Sequence, residues 1–339
     1  MEARVRACLI GCGRAGMIHA RNYRNKIPEA AITAVVDTLP EAAQAAAKEL
    51  QIHRWHTDYR QILGDKAINA VIVVAPTDLH RDIVVDCANA GKHIFCEKPM
   101  AMTVEECDEM IAACRANGVK LQIGFMRRFD ASFREAKRLV ESGAIGDLVL
   151  IRSNTRGPSK PRPWMYDIGK SNGILAEVNS HDIDSVRWMA GSEIRSLYAL
   201  AGNFRNPEAR EAYPDYYDSV LVSGTMENGV HFSVDGAAYV QYGYDSKMEL
   251  VGTKGKLEVG RSERDFVRLT TPEGGTSTPF ISSWMTLFTE AYLAEDTAFV
   301  EAILQDAEPP VTGLDGRMAV AAVEAGNRSI REGVICTLR

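Results

Sequence analysis

A glycine-rich turn lies between a short apolar segment and a helical segment near the start of the chain, and this arrangement constrains the fold most. Residues 4–10 predict a strand, residues 11–16 read GCGRAG, and residues 17–27 predict a helix. In a G-x-G-x-x-G turn with this context, the first glycine permits a tight turn and the second lets the backbone approach a pyrophosphate. The third lets the helix pack on the strand, and its free N–H groups can bind the phosphates. The candidate contacts are Gly11, Cys12, Gly13, Arg14, Ala15 and Gly16.

A carboxylate follows the second predicted strand, which spans residues 30–37 and ends in Asp37. Asp37 lies about 20 residues beyond the glycine turn, where a dinucleotide-binding domain places the acid that binds the adenosine ribose. Its charge would repel a 2′-phosphate, and Thr38 brings no compensating positive charge. Asp37 and Thr38 therefore predict NAD as the cofactor in preference to NADP. An acid can also occur at a strand end by chance, but this alternative is less favoured because Asp37 occurs together with the glycine turn.

Predicted strands and helices alternate over roughly the first 125 residues, which indicates a doubly wound parallel sheet. We assign this Rossmann domain to residues 1–123. Ligands of such sheets bind outside the carboxyl ends of the strands, so the segments that follow the strands face one crevice. A cis Lys98–Pro99 bond would fix the direction of the lysine, but the sequence leaves that isomer open. These segments add the candidate cofactor contacts Ala75, Pro76, Thr77, His80, Glu97 and Lys98.

The pattern changes in residues 124–339, which we assign to a second, α/β domain that binds the substrate and forms oligomers. Alternating apolar residues and an Asn-Gly turn predict an open, mostly antiparallel sheet. Its edges or open face are expected to form the contact between subunits. The last two predicted helices can pack on either domain. The predicted strands are residues 148–155, 194–204, 218–226, 230–238, 247–260 and 265–272.

One predicted helix, residues 172–191, carries a polar face. Glu177 and His181 are four residues apart and therefore share a side of the helix, and Asp184 continues near it. A histidine has a pKa suited to proton transfer near neutral pH. Two alternatives stay open: a structural histidine held by its glutamate, or a pair of metal ligands that lacks an obvious third member.

Composition excludes several classes of function. The net charge of −6 does not favour nucleic acid, and no run of apolar residues predicts a membrane span or a signal peptide. Seven scattered cysteines without a Cys-x-x-Cys pair indicate reduced thiols in a cytoplasmic protein. His53 and His56 have no acidic or cysteine partner at ligand spacing, so no metal site is predicted.

Several motifs together resemble the glucose–fructose oxidoreductase, inositol dehydrogenase and rhizopine-catabolism family over essentially the whole chain. Glu-Lys-Pro after the fifth strand is the most specific motif, and GFMRRFD is similar to the myo-inositol dehydrogenase branch. The resemblance implies a Rossmann domain joined to an α/β domain with an open, mostly antiparallel sheet, often in dimers or tetramers. The motifs are GCGRAG (11–16), APTDLH (75–80), CEKP (96–99), GFMRRFD (124–130), EVNSHDIDSVRW (177–188) and LVGTKGKLEV (250–259).

The resemblance also implies an activity, the NAD-dependent oxidation or reduction of one hydroxyl or keto carbon of a sugar, inositol or related polyol. It places Lys98 beside the nicotinamide and makes His181 the acid/base. Glu177 replaces an aspartate of the inositol dehydrogenases, and it either orients His181 or binds a substrate hydroxyl. The implied substrate contacts are Asp184, Arg127 and, in a loop that covers the site, Arg156 and Trp164.

Two other classes of function stay open. The first is an enzyme that retains NAD and oxidises its substrate transiently, to cleave a glycoside or to epimerise a carbon. The second is a non-catalytic sensor or regulator on the same fold. The presence of both Lys98 and His181 favours an enzyme over a sensor, because a sensor has no need of proton transfer. The sequence does not identify the substrate.

Overall fold

The computed structural model describes residues 4–260, 269–271 and 275–338. The first half of the chain forms β1 (Val5–Ile10), α1 (Arg14–Asn25), β2 (Ala30–Val36), α2 (Pro40–Glu49), β3 (Trp55–His56), β4 (Ala70–Val73), α3 (His80–Asn89), β5 (His93–Glu97), α4 (Val104–Ala116), β6 (Leu121–Gly124) and α5 (Ala131–Glu141). It continues with β7 (Leu148–Gly157), α6 (Ile168–Ser171), α7 (Gly173–Glu177) and α8 (Ser180–Ala190).

The remaining elements are mostly strands. They are β8 (Ile194–Gly202), β9 (Ser219–Met226), β10 (His231–Ala238), β11 (Asp245–Gly252), β12 (Lys256–Val259), β13 (Leu269–Thr271), β14 (Gly275–Ser277), α9 (Trp284–Leu287), α10 (Thr289–Gln305), α11 (Gly313–Glu332) and β15 (Cys336–Thr337). The predicted strand at 265–272 lies outside the described residues except for β13. Within the described ranges, no helix is long and apolar enough to cross a membrane.

The chain divides into two compact units, Met1–Phe129 with Glu290–Val320, and Asp130–Thr289 with Ala321–Arg339. The sequence prediction instead gave everything after residue 123 to the second domain. Residues of α10 belong to the first unit because Phe299 and Val300 are buried in the same apolar core as Phe95.

The first unit contains the predicted parallel sheet. Its strand order is β3-β2-β1-β4-β5-β6, and every pair is parallel. This order places the ends of β1 and β4 at the centre of the sheet, which is where doubly wound folds bind their ligands. All residues of β4 and β6 are buried, as expected for a sheet covered on both faces. The Rossmann prediction is confirmed.

The second unit contains a seven-stranded sheet with the order β12-β11-β7-β10-β9-β8-β15. All its pairs are antiparallel except β7 with β10. The predicted hairpin is present between β9 and β10, and Gly229 adopts a φ of 88°, which suits the turn. The prediction of a mostly antiparallel sheet is confirmed.

The predicted continuous helix at 172–191 is wrong, because the chain forms α7 and α8 with a turn at Val178 and Asn179 between them. Asn179 donates a side-chain hydrogen bond to the Asp235 carbonyl of β10 at 3.2 Å. A Cβ atom at Gly236 would lie 1.7 Å from the Asn179 Oδ1 atom, so the asparagine fits only against a glycine. This contact with the sheet accompanies the break. The assumption that Glu177 and His181 share the side of one helix therefore does not hold.

Candidate functional site

The glycine turn has the geometry that a dinucleotide site requires. Gly11 has a φ of 100°, and a Cβ atom there would lie 2.4 Å from the Val74 carbonyl oxygen. A Cβ atom at Gly16 would lie 2.0 Å from the Gly11 carbonyl oxygen, so both glycines are required by the protein's own packing. Gly13 differs, because a Cβ atom there would meet nothing within 4 Å. The open space at Gly13 fits the close approach of a pyrophosphate.

The start of α1 follows this open space. Gly13 is its N-cap residue, and no side chain caps the helix. Arg14 is exposed and Ala15 is half-buried in its first turn. The N–H groups of this turn are therefore not occupied by a capping side chain, as an anion site requires.

Asp37 is connected to the glycine turn. Its Oδ2 atom accepts a hydrogen bond from the Cys12 backbone N–H at 2.8 Å, and its Oδ1 atom accepts one from the Leu39 N–H at 3.0 Å. Burial raises the pKa of Cys12 to about 12, with a further contribution from the Asp37 charge, so its thiol stays protonated. Thr38 next to Asp37 is exposed. The end of β2 thus places a carboxylate directly beside the candidate pyrophosphate site.

The loop after β4 is linked to the turn after β5 through His80. The imidazole is buried, and its nitrogens lie 2.9 Å from the Pro99 carbonyl oxygen and 2.8 Å from the Ala75 carbonyl oxygen. Burial lowers its pKa. Thr77 is also buried, whereas Pro76 is exposed. Since both ring nitrogens face backbone carbonyls, any influence of His80 on the cofactor acts through these two loops.

Lys98 lies in the turn after β5, at the carboxyl edge of the parallel sheet. It is half-buried, the Lys98–Pro99 peptide bond is cis, and its backbone N–H donates to the Glu97 Oε2 atom at 3.0 Å. Glu97 was a predicted cofactor contact, but its side chain is buried and its Oε1 atom lies 3.1 Å from the His19 Nε2 atom. The glutamate therefore contacts the interior of the unit and the lysine backbone.

His19 was missed by the sequence analysis. Its Nδ1 atom lies 2.7 Å from the Asp296 Oδ1 atom, and Asp296 also accepts a hydrogen bond from Asn22 at 2.8 Å. Burial alone would lower the pKa of His19, but Asp296 and Glu97 outweigh it and raise this pKa well above the usual value. The sequence signal for this cluster is that His19 and Asn22, two polar residues three positions apart, both lie on the buried side of α1.

In the second unit, His181 stands in the first turn of α8 and is 6% exposed, whereas Glu177 ends α7 and is half-buried. Asp182, which the sequence analysis did not select, accepts hydrogen bonds from the Ser153 hydroxyl of β7 at 2.5 Å and from Asn179 at 2.8 Å. These bonds fasten the start of α8, and with it the backbone of His181, to the sheet.

The predicted substrate residues occupy different environments. Asp184 is 1% exposed and lies 3.7 Å from the Arg187 Nη1 atom. In the first unit, Arg127 follows β6 and is 1% exposed. Trp164 is half-buried in a short 3-10 helix, Pro163–Tyr166.

The prediction that Arg156 lies in a covering loop is wrong. It belongs to β7 and pairs with β10 and β11 on either side. Its guanidinium donates two hydrogen bonds to Asp235, at 2.8 and 2.9 Å, and one to Asp245 at 3.0 Å. These two carboxylates hold the arginine on the sheet.

In the parts of the chain that the structure describes, no group of three or more His, Cys, Asp or Glu side chains is arranged to hold a metal ion. The polar groups at the edge of the parallel sheet include backbone N–H groups, which donate hydrogen bonds, the Asp37 carboxylate, which accepts them, and Lys98. This set, the open space at Gly13 and the uncapped start of α1 fit a dinucleotide. The first unit is therefore the cofactor-binding part of an NAD-dependent oxidoreductase.

Comparison with known proteins agrees with this class. Residues 5–125 match the oxidoreductase family with an NAD-binding Rossmann fold, and residues 133–258 match the GFO/IDH/MocA C-terminal domain. The chain belongs to the GFO/IDH/MocA oxidoreductase family, which confirms the resemblance drawn from its motifs.

Three relatives illustrate the match. The chain is 34% identical to scyllo-inositol 2-dehydrogenase (NAD(+)) from Bacillus subtilis, over 98% of this chain and 96% of that protein. It is 30% identical to myo-inositol 2-dehydrogenase from Thermotoga maritima, over 97% of both. The structure of scyllo-inositol dehydrogenase from Lactobacillus casei, with NAD(H) and scyllo-inositol bound, superposes with a TM-score of 0.90 at 30% identity and covers 99% of both chains.

Proposed function

We propose that this oxidoreductase transfers a hydride between NAD and a secondary alcohol of an inositol, a sugar or a related polyol, with a ketone as the oxidised product. The relatives described above support the substrate class, since they are named as dehydrogenases of scyllo- and myo-inositol. The observation that carries the proposal is the position of Lys98. It follows β5 at the same edge of the parallel sheet as the glycine turn and Asp37.

The chain's own residues account for cofactor binding. The glycine turn and the start of α1 would hold the pyrophosphate, and Asp37 the adenosine ribose, with the loop at Ala75–Thr77 and Lys98 completing the site. The Asp37 carboxylate favours NAD over NADP because it would repel a 2′-phosphate. Bound NAD supplies the acceptor for the two electrons of the hydride.

The proposed proton chemistry uses Lys98 and His181. With NAD bound as the hydride acceptor, the His181 imidazole would accept the proton from the alcohol oxygen as the ketone forms. The Lys98 ammonium group donates a hydrogen bond to the reacting oxygen and stabilises its developing negative charge. Glu177 either orients His181 or binds a second hydroxyl. Asp184, Arg127 and Trp164 complete the proposed substrate contacts.

The test of the activity is a screen of NAD reduction with inositols, aldoses, glycosides and anhydrosugars as substrates. We expect NADH to accumulate from NAD with at least one free inositol or sugar, and NADPH to accumulate more slowly when NADP replaces NAD. Conversion of a glycoside or a change of configuration without net NADH would instead identify an enzyme that retains its cofactor. NAD binding without turnover of any substrate would favour a sensor and refute the proposal.

The test of the residues uses variants at both proposed catalytic positions. Lys98→Ala and His181→Ala should each lower turnover by at least about 100-fold, because each removes a charge-stabilising or acid–base group. The exposed Lys66 and His53 provide matched controls, and Lys66→Ala and His53→Ala should leave turnover unchanged. Near-normal turnover in a folded, NAD-binding Lys98→Ala or His181→Ala protein would contradict the assignment of that residue.

We also propose a homodimer or homotetramer formed through the sheet of the second unit. Leu200 of β8 and Leu221 of β9 are directly opposite one another in the sheet and are 53% and 50% exposed. An exposed apolar cross-strand pair favours burial against another subunit. Light scattering should give a multiple of the 37.3 kDa chain mass, and Leu221→Lys should lower it. A monomeric wild-type protein would rule out this proposal.

The cytoplasm is the proposed location. None of the seven cysteines, all of which belong to the described residues, forms a disulfide bond, as expected in a reducing compartment. Fractionation of producing cells would test this, and enrichment in a secreted fraction would contradict it.

A further inference from the structure

A buried polar cluster adjoins the turn that carries Lys98. It consists of His19 and Asn22 from α1, Glu97 at the end of β5 and Asp296 from α10, and we call it the His19 cluster. The imidazole of His19 bridges Asp296 at 2.7 Å and Glu97 at 3.1 Å, and Asn22 donates to Asp296 at 2.8 Å. The proposed chemistry uses none of these side chains directly.

The His19 ring packs against two aromatic residues. Its centroid lies 4.8 Å from that of Phe95 and 5.4 Å from that of Tyr292, the latter in an edge-on arrangement. His19 is completely buried, so it has no access to a ligand at the edge of the sheet. Any effect of His19 on the reaction must therefore pass through a neighbouring residue.

Glu97 is the neighbour through which such an effect can pass. Its Oε1 atom contacts His19, and its Oε2 atom accepts the backbone N–H of Lys98 at 3.0 Å. A Cβ atom at Gly124 of β6 would lie 3.0 Å from the Glu97 carboxylate, so the carboxylate packs closely against that glycine. Three contacts thus fix a carboxylate that is bonded to the backbone of the proposed catalytic lysine.

Charge balance explains why the histidine is needed. Two carboxylates, Glu97 and Asp296, are buried within the same cluster. A buried carboxylate without a positive or hydrogen-bonding partner costs several kcal/mol. His19 is bonded to both, so without it Glu97 would lose its partner on the interior side and could turn away from Lys98.

We propose that His19, by bridging Glu97 and Asp296, is a positioning residue that fixes the Glu97 carboxylate and through it the backbone of Lys98. This inference rests on the proposed function of Lys98 in the reaction. Asp296, which is far from His19 in the sequence, helps to hold the imidazole in place through its bond to the Nδ1 atom. A displacement of about 1 Å in a catalytic group lowers turnover by as much as about 100-fold, so a loosened turn would be visible in kinetics.

The first test is amide hydrogen exchange, which needs no substrate or cofactor. His19→Gln should accelerate exchange of the Lys98 amide by about tenfold relative to the Ile123 amide of β6. The reason is that the Lys98 N–H is bonded to the Glu97 carboxylate, whereas the Ile123 N–H is bonded to a backbone carbonyl. Arg21→Ala, an exposed change on the same helix, is the control and should accelerate neither. Equal acceleration of both amides, or of neither, would overturn the inference.

The second test is kinetic and uses a charge-balanced pair of changes. His19→Gln combined with Asp296→Asn removes one positive and one negative charge, so the protein should fold even if His19→Gln alone does not. We expect kcat to fall about 10- to 100-fold while the dissociation constant of NAD changes less than about threefold. The same pair added to Lys98→Ala should cause no further loss, because its effect passes through the lysine.

The outcomes separate the inference from the function on which it rests. If the His19→Gln and Asp296→Asn pair lowers kcat by the same factor in Lys98→Ala as in the wild type, the positioning role is wrong. Normal turnover in Lys98→Ala itself would refute the function proposed for the lysine, and hydrogen exchange would then still decide whether His19 fixes the turn.

Discussion

Two glycines of the cofactor turn, Gly16 and Gly13, allow stability and cofactor binding to be separated. Gly16→Ala places a methyl group 2.0 Å from the Gly11 carbonyl oxygen, whereas ordinary contacts begin at 3.4 Å. The oxygen belongs to the backbone and the position of the methyl group is fixed by its own backbone, so neither can rotate away, and α1 must move relative to the turn. Overpacking of this kind costs about 1–3 kcal/mol, which corresponds to a fall of about 2–12 °C in the melting temperature for a domain of this size.

Gly13→Ala is the matched control within the same turn. Its φ of −72° is open to alanine, and the added methyl group meets no protein atom within 4 Å. The loss of a favoured N-cap residue and the reduced entropy of the unfolded chain roughly cancel, so stability should change by less than about 1 kcal/mol. The methyl group instead fills the space assigned to the pyrophosphate, and NAD affinity should fall at least about tenfold, or 1.4 kcal/mol.

Thermal unfolding of the cofactor-free variants and calorimetric titration with NAD measure the two effects independently. Gly16→Ala should melt early, and Gly13→Ala should melt like the wild type but bind NAD weakly. Unchanged NAD affinity in Gly13→Ala would refute the placement of the pyrophosphate. Unchanged melting of Gly16→Ala would refute the steric reasoning.

Three further predictions concern Asp37, Asp182 with its partner Ser153, and His19. Asp37→Ala should weaken NAD binding about 10- to 100-fold, because it removes hydrogen bonds to a charged acceptor, and titration with both cofactors should show NADP gaining relative to NAD. Asp182→Ala should lower the free energy of unfolding by about 2–4 kcal/mol, since it leaves buried donors unpaired. Ser153→Ala should cost about 1 kcal/mol, and urea denaturation would rank the two. Burial lowers the pKa of His19, but Asp296 and Glu97 outweigh it and raise this pKa well above 6.5. The protonated histidine therefore contributes its full stabilisation below pH 6.5, and this stabilisation is lost as the pH rises through the pKa that His19 has in the folded protein. The difference in unfolding free energy between the wild type and His19→Gln should therefore shrink with increasing pH, and a difference that grows would contradict a protonated His19.

The parallel sheet was predictable because its signals are local. Apolar runs, the glycine turn and the cap of α4, where Thr103 accepts the Glu106 N–H, each lie within a few residues of the element they define. β4 begins at Ala70, directly after Asn69, whose side chain is hydrogen-bonded to the backbone of Arg4 and Arg6. The two-residue strand β3 has no apolar run and was missed.

The grouping of the candidate cofactor residues at one edge of the sheet was predictable for a related reason. A parallel sheet brings the carboxyl ends of its strands to one edge, so the order of segments along the chain is enough to collect them. The bond between Asp37 and Cys12 follows from that edge. What the segment order does not show is the direction of each side chain, so the bond of Glu97 to His19 and the position of the His80 ring between two backbone carbonyls could not be predicted.

The failures involve contacts between residues far apart in sequence. Asn179 reaches the carbonyl of Asp235, and Arg156 reaches the carboxylate of the same residue. His19 binds Asp296 from almost the opposite end of the chain. A single sequence contains no local pattern for such pairs, so the break between α7 and α8 and the strand position of Arg156 could not be predicted from it.

The two proposed catalytic residues belong to different units, but each is adjacent in sequence to a buried carboxylate. Lys98 directly follows Glu97, and His181 directly precedes Asp182. Each of these neighbouring carboxylates is buried and hydrogen-bonded to at least two groups, one of which comes from a different element of the fold. Because adjacent residues share a peptide unit, a carboxylate fixed in the interior also fixes the backbone of the reactive residue next to it. A side chain that transfers a proton, as proposed for His181, or that stabilises charge, as proposed for Lys98, needs such a fixed backbone, because its own rotamer is then its only remaining freedom. Substitutions far from the site should therefore affect turnover mainly by displacing the buried carboxylates, Glu97 and Asp182, and less by contacting Lys98 or His181 directly.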